Sequence, residues 1–247
     1  MTSEAVLLEP PTSSSSSTLR AVQPPRGYHY LLSVPPAHGA DSQRRWPLLL
    51  FLHGTAGWGS NVWAVTVHGL PRLLAGAPDL NAVEKTVARR VAGQFIVVAP
   101  QCPFWEVWEE AAVLALLDAV AAEFRVDTGR VYLTGLSLGG FGTWSIGLRH
   151  LERFAALVPV CGGGRLADVA QAAQRHPAAL ARLGVWAFHG ARDETVPLEE
   201  STRMVQALQQ AGVGEARLTV YPEADHDAWT PTYANAGLYD WLLRPRG

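Results

Sequence analysis

From residue 28 onward the chain alternates short apolar runs with longer stretches in which apolar residues recur at helical spacing. The short runs at 28–34, 48–52, 95–99, 131–134, 155–160, 185–188 and 217–221 read as strands. Several are almost continuously apolar, which is the pattern of strands covered on both faces rather than one. Between them, 109–124, 138–150, 198–211 and 233–243 read as helices, the third closed by Gly212. This succession predicts βαβ units, and so an α/β fold with a mostly parallel sheet and helices on both of its faces. Two longer interruptions, near 57–93 and 162–184, follow strands at the carboxyl edge of the sheet. Ligands bind along that edge in open α/β sheets, so both insertions are expected to shape a pocket, the first with room for a short cap. No repeat is visible, and residues 75–93 match no recognisable pattern.

Composition narrows the class. A chain of 247 residues, 48% hydrophobic and 17% charged, can bury one sizeable core, so 19–247 is expected to be a single domain. Residues 1–18, with Pro10, Pro11 and the run Ser13 to Ser17, carry too few large apolar groups to offset ordering entropy and read as a flexible tail. The 20 Lys and Arg are scattered among 22 acids, which leaves no basic stripe for nucleic acid. The richest apolar stretch, 111–122, is broken by Asp118 and is too short to span a membrane. Glu4 stands where a secretory signal carries positive charge, and a cytoplasmic location is expected. Cys102 and Cys161 both follow inner-strand runs, which favours packing or a thiol near the pocket over a disulfide.

The chemistry starts at Gly135-Leu136-Ser137-Leu138-Gly139, a G-x-S-x-G pattern placed directly after a strand and directly before a helix. A serine at the tip of such a turn adopts strained backbone angles, and flanking glycines let strand and helix cross closely. The helix N-terminus adds the Leu138 N–H and a dipole suited to developing negative charge. A serine hydroxyl needs a base, and histidine titrates nearest neutrality. Of the eight histidines, His176, His189 and His226 follow Ser137, and His226 lies in a polar loop after the last strand, where it can reach over the carboxyl edge. Asp193, in the turn after the preceding strand, is the expected orienting acid, with Glu194 as its rival. Asp225 and Asp227 read as loop-shaping residues, and His189 as a buried hydrogen-bonded residue. The strand at 48–52 ends in His53-Gly54, and the small residues after it let the Thr55 N–H, or alternatively that of Ala56, join Leu138 in an oxyanion hole. His53 is read as a prop for that loop. Five of nine tryptophans, Trp58, Trp63, Trp105, Trp108 and Trp229, fall in loops on the active edge and are candidate walls of a substrate pocket, with packing under the loops as the alternative.

The His53-Gly54 turn, the 135–139 elbow, His189-Gly190-x-x-Asp193 with Val196-Pro197, and Asp225-His226 together resemble the esterase, phospholipase/carboxylesterase and dienelactone-hydrolase branch of the α/β hydrolases, including the predicted-peptidase-type esterases. The resemblance covers about 28–243 and implies an eight-stranded (or seven-stranded), mostly parallel sheet, Ser-Asp-His chemistry through an acyl-enzyme, and no cofactor or metal. Leu138 departs from the methionine of many relatives, and Ser137 departs from the cysteine of dienelactone hydrolases proper. The expected activity is hydrolysis of small or medium soluble carboxylic esters. Thioesterase, lysophospholipase or peptidase-like hydrolysis, and a non-catalytic ligand-binding relative, are the alternatives. A prolyl-peptidase is disfavoured because a chain of this length has no gating propeller.

Overall fold

The computed structural model describes residues 6–8, 18–40 and 42–244. Nine strands form one sheet: β1 (Val6–Leu8), β2 (Arg20–Gln23), β3 (Tyr30–Ser33), β4 (Trp46–Leu52), β5 (Ile96–Pro100), β6 (Val126–Leu136), β7 (Ala156–Val160), β8 (Gly184–Gly190) and β9 (Glu215–Tyr221). Their spatial order is β1-β2-β3-β5-β4-β6-β7-β8-β9. The pairs β1–β2, β2–β3 and β3–β5 are antiparallel, and every later pair is parallel. Strands β2 to β9 make up the expected eight-stranded, mostly parallel sheet. Strand β1 adds a ninth at the edge, inside the stretch 1–18 expected to be a flexible tail: Val6–Leu8 pairs with β2, and the Thr18 N–H donates to the Leu74 carbonyl. Residues 1–5 and 9–17 of that tail lie outside the described residues.

Helices α1 (Gly69–Leu74), α2 (Ala82–Gln94), α3 (Glu110–Glu123), α4 (Leu138–Arg149), α5 (Leu166–Arg175), α6 (Pro177–Arg182), α7 (Glu199–Gln210), α8 (Trp229–Tyr233) and α9 (Ala236–Leu242) cover the sheet. Every residue of β4 is buried, and its side chains alternate between two cores. Leu48, Leu50 and Leu52 join the core that also takes side chains of α3, α4, α5 and α7, while Leu49 and Phe51 join the core that takes those of α1, α2, α8 and α9. The unbroken apolar run of β4 is therefore a strand buried on both faces. In α3, Val113, Leu116, Leu117 and Val120 share one helical stripe and enter the first core.

Each insertion carries helices of its own. Within 57–93, α2 is an ordinary crossover helix whose Val87 and Val91 enter the second core, so this part is not a cap. Its start is a capping box: the Glu84 N–H donates to Asn81 Oδ1 at 3.0 Å, and the Asn81 N–H donates to Glu84 Oε2 at 2.9 Å. Likewise α5 and α6, within 162–184, place Val169, Ala172 and Leu180 in the first core. The helix expected at 233–243 is α9, which starts later, at Asn235, whose side chain accepts from the Gly237 N–H at 2.9 Å; the short α8 before it ends at Tyr233. Among the described residues no helix is long and apolar enough to cross a membrane.

Candidate active site

Strand β6 runs at the centre of the sheet and turns into α4 at Ser137, whose backbone sits at φ 52°, ψ −117°. A non-glycine residue in this region is strained by about 1–3 kcal/mol, and the surroundings over-determine it. The Ser137 N–H donates to the Val160 carbonyl at 2.9 Å, and its own carbonyl accepts from the Phe141 N–H at 3.0 Å. Strand and helix can fold back this tightly because a Cβ on Gly139 would overlap the Leu52 carbonyl, and one on Gly135 would overlap the carbonyl of Gly139. Ser137 is left half-exposed at the carboxyl edge.

The β8 and β9 loops bring two more side chains to it. His226 Nε2 lies 3.0 Å from Ser137 Oγ, and His226 Nδ1 lies 2.7 Å from Asp193 Oδ2. The Asp193 side chain is fully buried, while that of His226 keeps 21% of its surface. Asp193 Oδ1 accepts from the N–H groups of Thr195 and Val196, each at 2.9 Å, so a tight turn fixes the carboxylate. Both carboxylate oxygens are thus satisfied, which offsets burial of the charge. The rival Glu194 is exposed. Asp227 accepts from the Thr230 N–H and hydroxyl, and Asp225 from the Asp227 N–H, so these two acids shape the loop.

The first turn of α4 leaves the Leu138 N–H without an intrahelical partner. Across from it, a Cβ on Gly54 would stand 3.2 Å from Ser137 Cβ, so the turn carrying Thr55 lies against the elbow. His53 props this turn: Nδ1 donates to the Gly54 carbonyl at 2.6 Å, Nε2 accepts from the Cys102 N–H at 2.9 Å, and the ring meets Trp108 edge-on. Burial pushes its pKa down to about 4, so at neutral pH it holds the single tautomer this arrangement requires.

The five tryptophans divide. Trp63 and Trp108 are buried among the core side chains and are not pocket walls. Trp229 is buried too, but its ring lies edge-on to His226 and tilted against His68. Trp58 and Trp105 pair at 5.5 Å between ring centroids, and Trp105 is 85% exposed at a positive φ of 62°. Phe104 and Val107 are exposed beside it.

The sequence reading of Cys161 as a packed thiol near the pocket and of His189 as a buried hydrogen-bonded residue did not foresee that both stand beside Asp193. Cys161 follows β7 at a positive φ of 40°, buried, with its thiol pKa pushed up by burial. Its sulfur, a His226 ring nitrogen and an Asp193 oxygen lie within 4.8 Å of one another, a set of metal-ligand types. His226 Nδ1 and Asp193 Oδ2 are, however, already committed to each other. The second neighbour is His189, four residues before Asp193 and 3.2 Å from Oδ2 through Nε2, a proximity that the His-x-x-x-Asp spacing at a strand end hints at.

The Prolyl oligopeptidase family model matches residues 165–244, which include Asp193 and His226 but not Ser137. "Probable feruloyl esterase C" of Aspergillus terreus (strain NIH 2624 / FGSC A1156) is 26% identical over 197 residues, 76% of this chain and 63% of that protein. A thermostable esterase of known structure is 28% identical with a TM-score of 0.71, over 97% of this chain and 62% of its own. A ferulic acid esterase structure is 20% identical with a TM-score of 0.64, over 97% of this chain and 96% of its own. The chain thus spans less than two thirds of the length of the first two of these relatives. Sheet order, the strained serine turn and these likenesses agree: the chain has the α/β-hydrolase fold and is similar to esterases of that fold.

Proposed function

We propose that this protein is a serine hydrolase that cleaves small or medium carboxylic esters through an acyl-enzyme. The observation that carries the reading is the hydrogen-bonded row from Ser137 Oγ through His226 to the buried Asp193. In this mechanism Asp193 holds His226 with the proton on Nδ1, leaving Nε2 to take the Ser137 proton as Oγ attacks the ester carbonyl. The N–H groups of Leu138 and Thr55 receive the oxyanion. His226 then protonates the leaving alkoxide, the alcohol departs, and water enters by the same route to release the acid and restore Ser137. No step calls for a cofactor.

An aromatic acyl group is the substrate class we favour. The exposed Trp105, paired with the half-buried Trp58 beside the Thr55 turn, offers a ring face, and two relatives carry feruloyl or ferulic acid esterase in their names. Thioester, lysophospholipid and peptide hydrolysis use the same three groups and differ only in the pocket. A half-exposed Ser137 with His226 turned toward it argues against a ligand-binding relative without turnover. The cytoplasmic location expected from the sequence belongs to the same proposal. The test is steady-state hydrolysis of p-nitrophenyl acetate, butyrate and octanoate and of methyl cinnamate by the wild type and Ser137→Ala. Saturable turnover lost in the variant supports the reading, and equal rates for the two proteins overturn it.

A further inference from the structure

The mechanism uses three residues, yet a fourth polar side chain stands buried against Asp193. His189, at the carboxyl end of β8, is fully buried. Its Nε2 faces the Val196 carbonyl at 2.8 Å and Asp193 Oδ2 at 3.2 Å. Neither neighbour has a proton to give, so Nε2 carries one; it hydrogen-bonds to the Val196 carbonyl and stands within ion-pair distance of Asp193 Oδ2. On the other side of the ring, Nδ1 is 2.8 Å from the Ser201 hydroxyl of α7, which in turn reaches the Gly162 carbonyl at 3.2 Å. Ser201 lies on the buried stripe of α7 with Met204, Val205 and Leu208, so the ring is anchored to a helix and not to a loop. Asp193 Oδ2 is therefore shared between two imidazoles, His226 on the substrate side and His189 behind it.

We propose that His189 is a positioning residue for the reaction, its buried N–H set close behind the Asp193 carboxylate so as to hold it and limit how strongly it polarises His226. This rests on the triad reading above. The physical argument is that an N–H dipole 3.2 Å from a carboxylate oxygen offsets part of its negative charge. Remove the rear donor, and more negative charge falls on the His226 side, so imidazolium at His226 is favoured. The acidic limb of kcat/KM, which reports protonation of the base in the free enzyme, then moves to higher pH. The other titratable groups around the cluster are Cys161 from the end of β7, Asp227 from the His226 loop, and His68 across Trp229. All are unchanged in the variants below. A side chain that merely fills space behind Asp193 would leave the limb where it is.

The experiment is the pH dependence of kcat and KM for p-nitrophenyl acetate in wild type, His189→Leu, His189→Gln and His189→Asn, with circular dichroism and thermal melts as folding controls. The glutamine amide reaches the position of Nε2 and retains a donor toward Asp193. The asparagine amide, one methylene shorter, reaches only the Ser201 side. We expect His189→Leu and His189→Asn to lose about three- to thirtyfold in kcat/KM, chiefly in kcat, as for loss of one polar contact with a charged group. We expect their acidic limb about half a pH unit or more higher, and His189→Gln near wild type in both respects. If His189→Leu does not fold, the glutamine and asparagine pair carries the comparison. An unmoved limb in the folded leucine or asparagine variant, or a glutamine variant no better than asparagine, overturns the proposal. Ser137→Ala in the same assay separates the two ideas: its full activity would refute the triad, whereas its inactivity with an unmoved limb in the His189 variants would refute only the role of His189.

Discussion

Asp193→Asn is the sharpest test of how the site works, because the structure dictates which way the amide must face. Asp193 Oδ1 accepts two backbone N–H groups at 2.9 Å each, from Thr195 and Val196. An asparagine keeps both bonds only by placing its carbonyl oxygen there. Turning it round would leave two buried donors unsatisfied, at a cost of about 1–3 kcal/mol apiece. The NH2 group is thus forced onto the Oδ2 side, where His226 Nδ1 stands 2.7 Å away and His189 Nε2 3.2 Å away. Donor then meets donor. His226 relieves this by moving its proton to Nε2, the atom that must accept from Ser137, 3.0 Å away. A neutral imidazole with the wrong tautomer cannot act as base, a change that costs a serine protease about 10⁴ in kcat and corresponds to roughly 5.5 kcal/mol in the barrier. We expect a loss of about 10³- to 10⁴-fold in kcat for p-nitrophenyl acetate, with KM changed by less than about threefold, since ground-state contacts are untouched. Thermal melting should fall by only a few degrees because the two turn hydrogen bonds survive. A variant that retains a tenth or more of wild-type kcat would refute the tautomer argument.

Three further outcomes follow from the same coordinates. His53 has its pKa depressed by burial from 6.5 to about 4, so above pH 6.5 its neutral form contributes fully to stability. That contribution, about 3 kcal/mol, is lost as pH falls from 6.5 to 4, because the unfolded chain takes up the proton first; urea unfolding across this window should show the slope, and His53→Asn should flatten it. A methyl group at Gly139 collides with the Leu52 and His53 carbonyls, which are backbone and cannot swing away, so Gly139→Ala should destabilise by more than about 3 kcal/mol in equilibrium unfolding; a change below 1 kcal/mol would contradict the packing. Trp105→Ala, at a site 85% exposed, should leave stability within about 0.5 kcal/mol while raising KM for cinnamate esters more than for acetate, and equal effects on the two would remove Trp105 from substrate binding.

What the sequence determined by itself was local. A run such as Trp46–Leu52 announces a strand buried on both faces, because each side chain must leave water whichever way it points. G-x-S-x-G announces the elbow, because strand and helix cross at a distance only glycine tolerates. The loop positions of His226 and Asp193 follow from chain order and strand ends. Strand β2, only Arg20–Gln23 with an exposed first residue, has too little pattern to stand out from a coil; its partner supplies the reason it is extended. Helix α2 did carry a signal, the Asn81 and Glu84 capping box, but its body has only Val87, Val91 and Ala92 buried beside Glu84, a stripe too thin for periodicity to reveal. The tertiary structure alone decided which tryptophans are open. Trp63, Trp105 and Trp108 look alike in sequence, and only the packing of the loops buries two and exposes the third. It also decided that the acid has two imidazoles on one oxygen, since His226 comes from beyond β9, 33 residues after Asp193, and His189 from the end of β8. Spacing fixes what a residue can reach along its own strand or helix, whereas contacts between loops at the carboxyl edge depend on how the whole sheet is assembled.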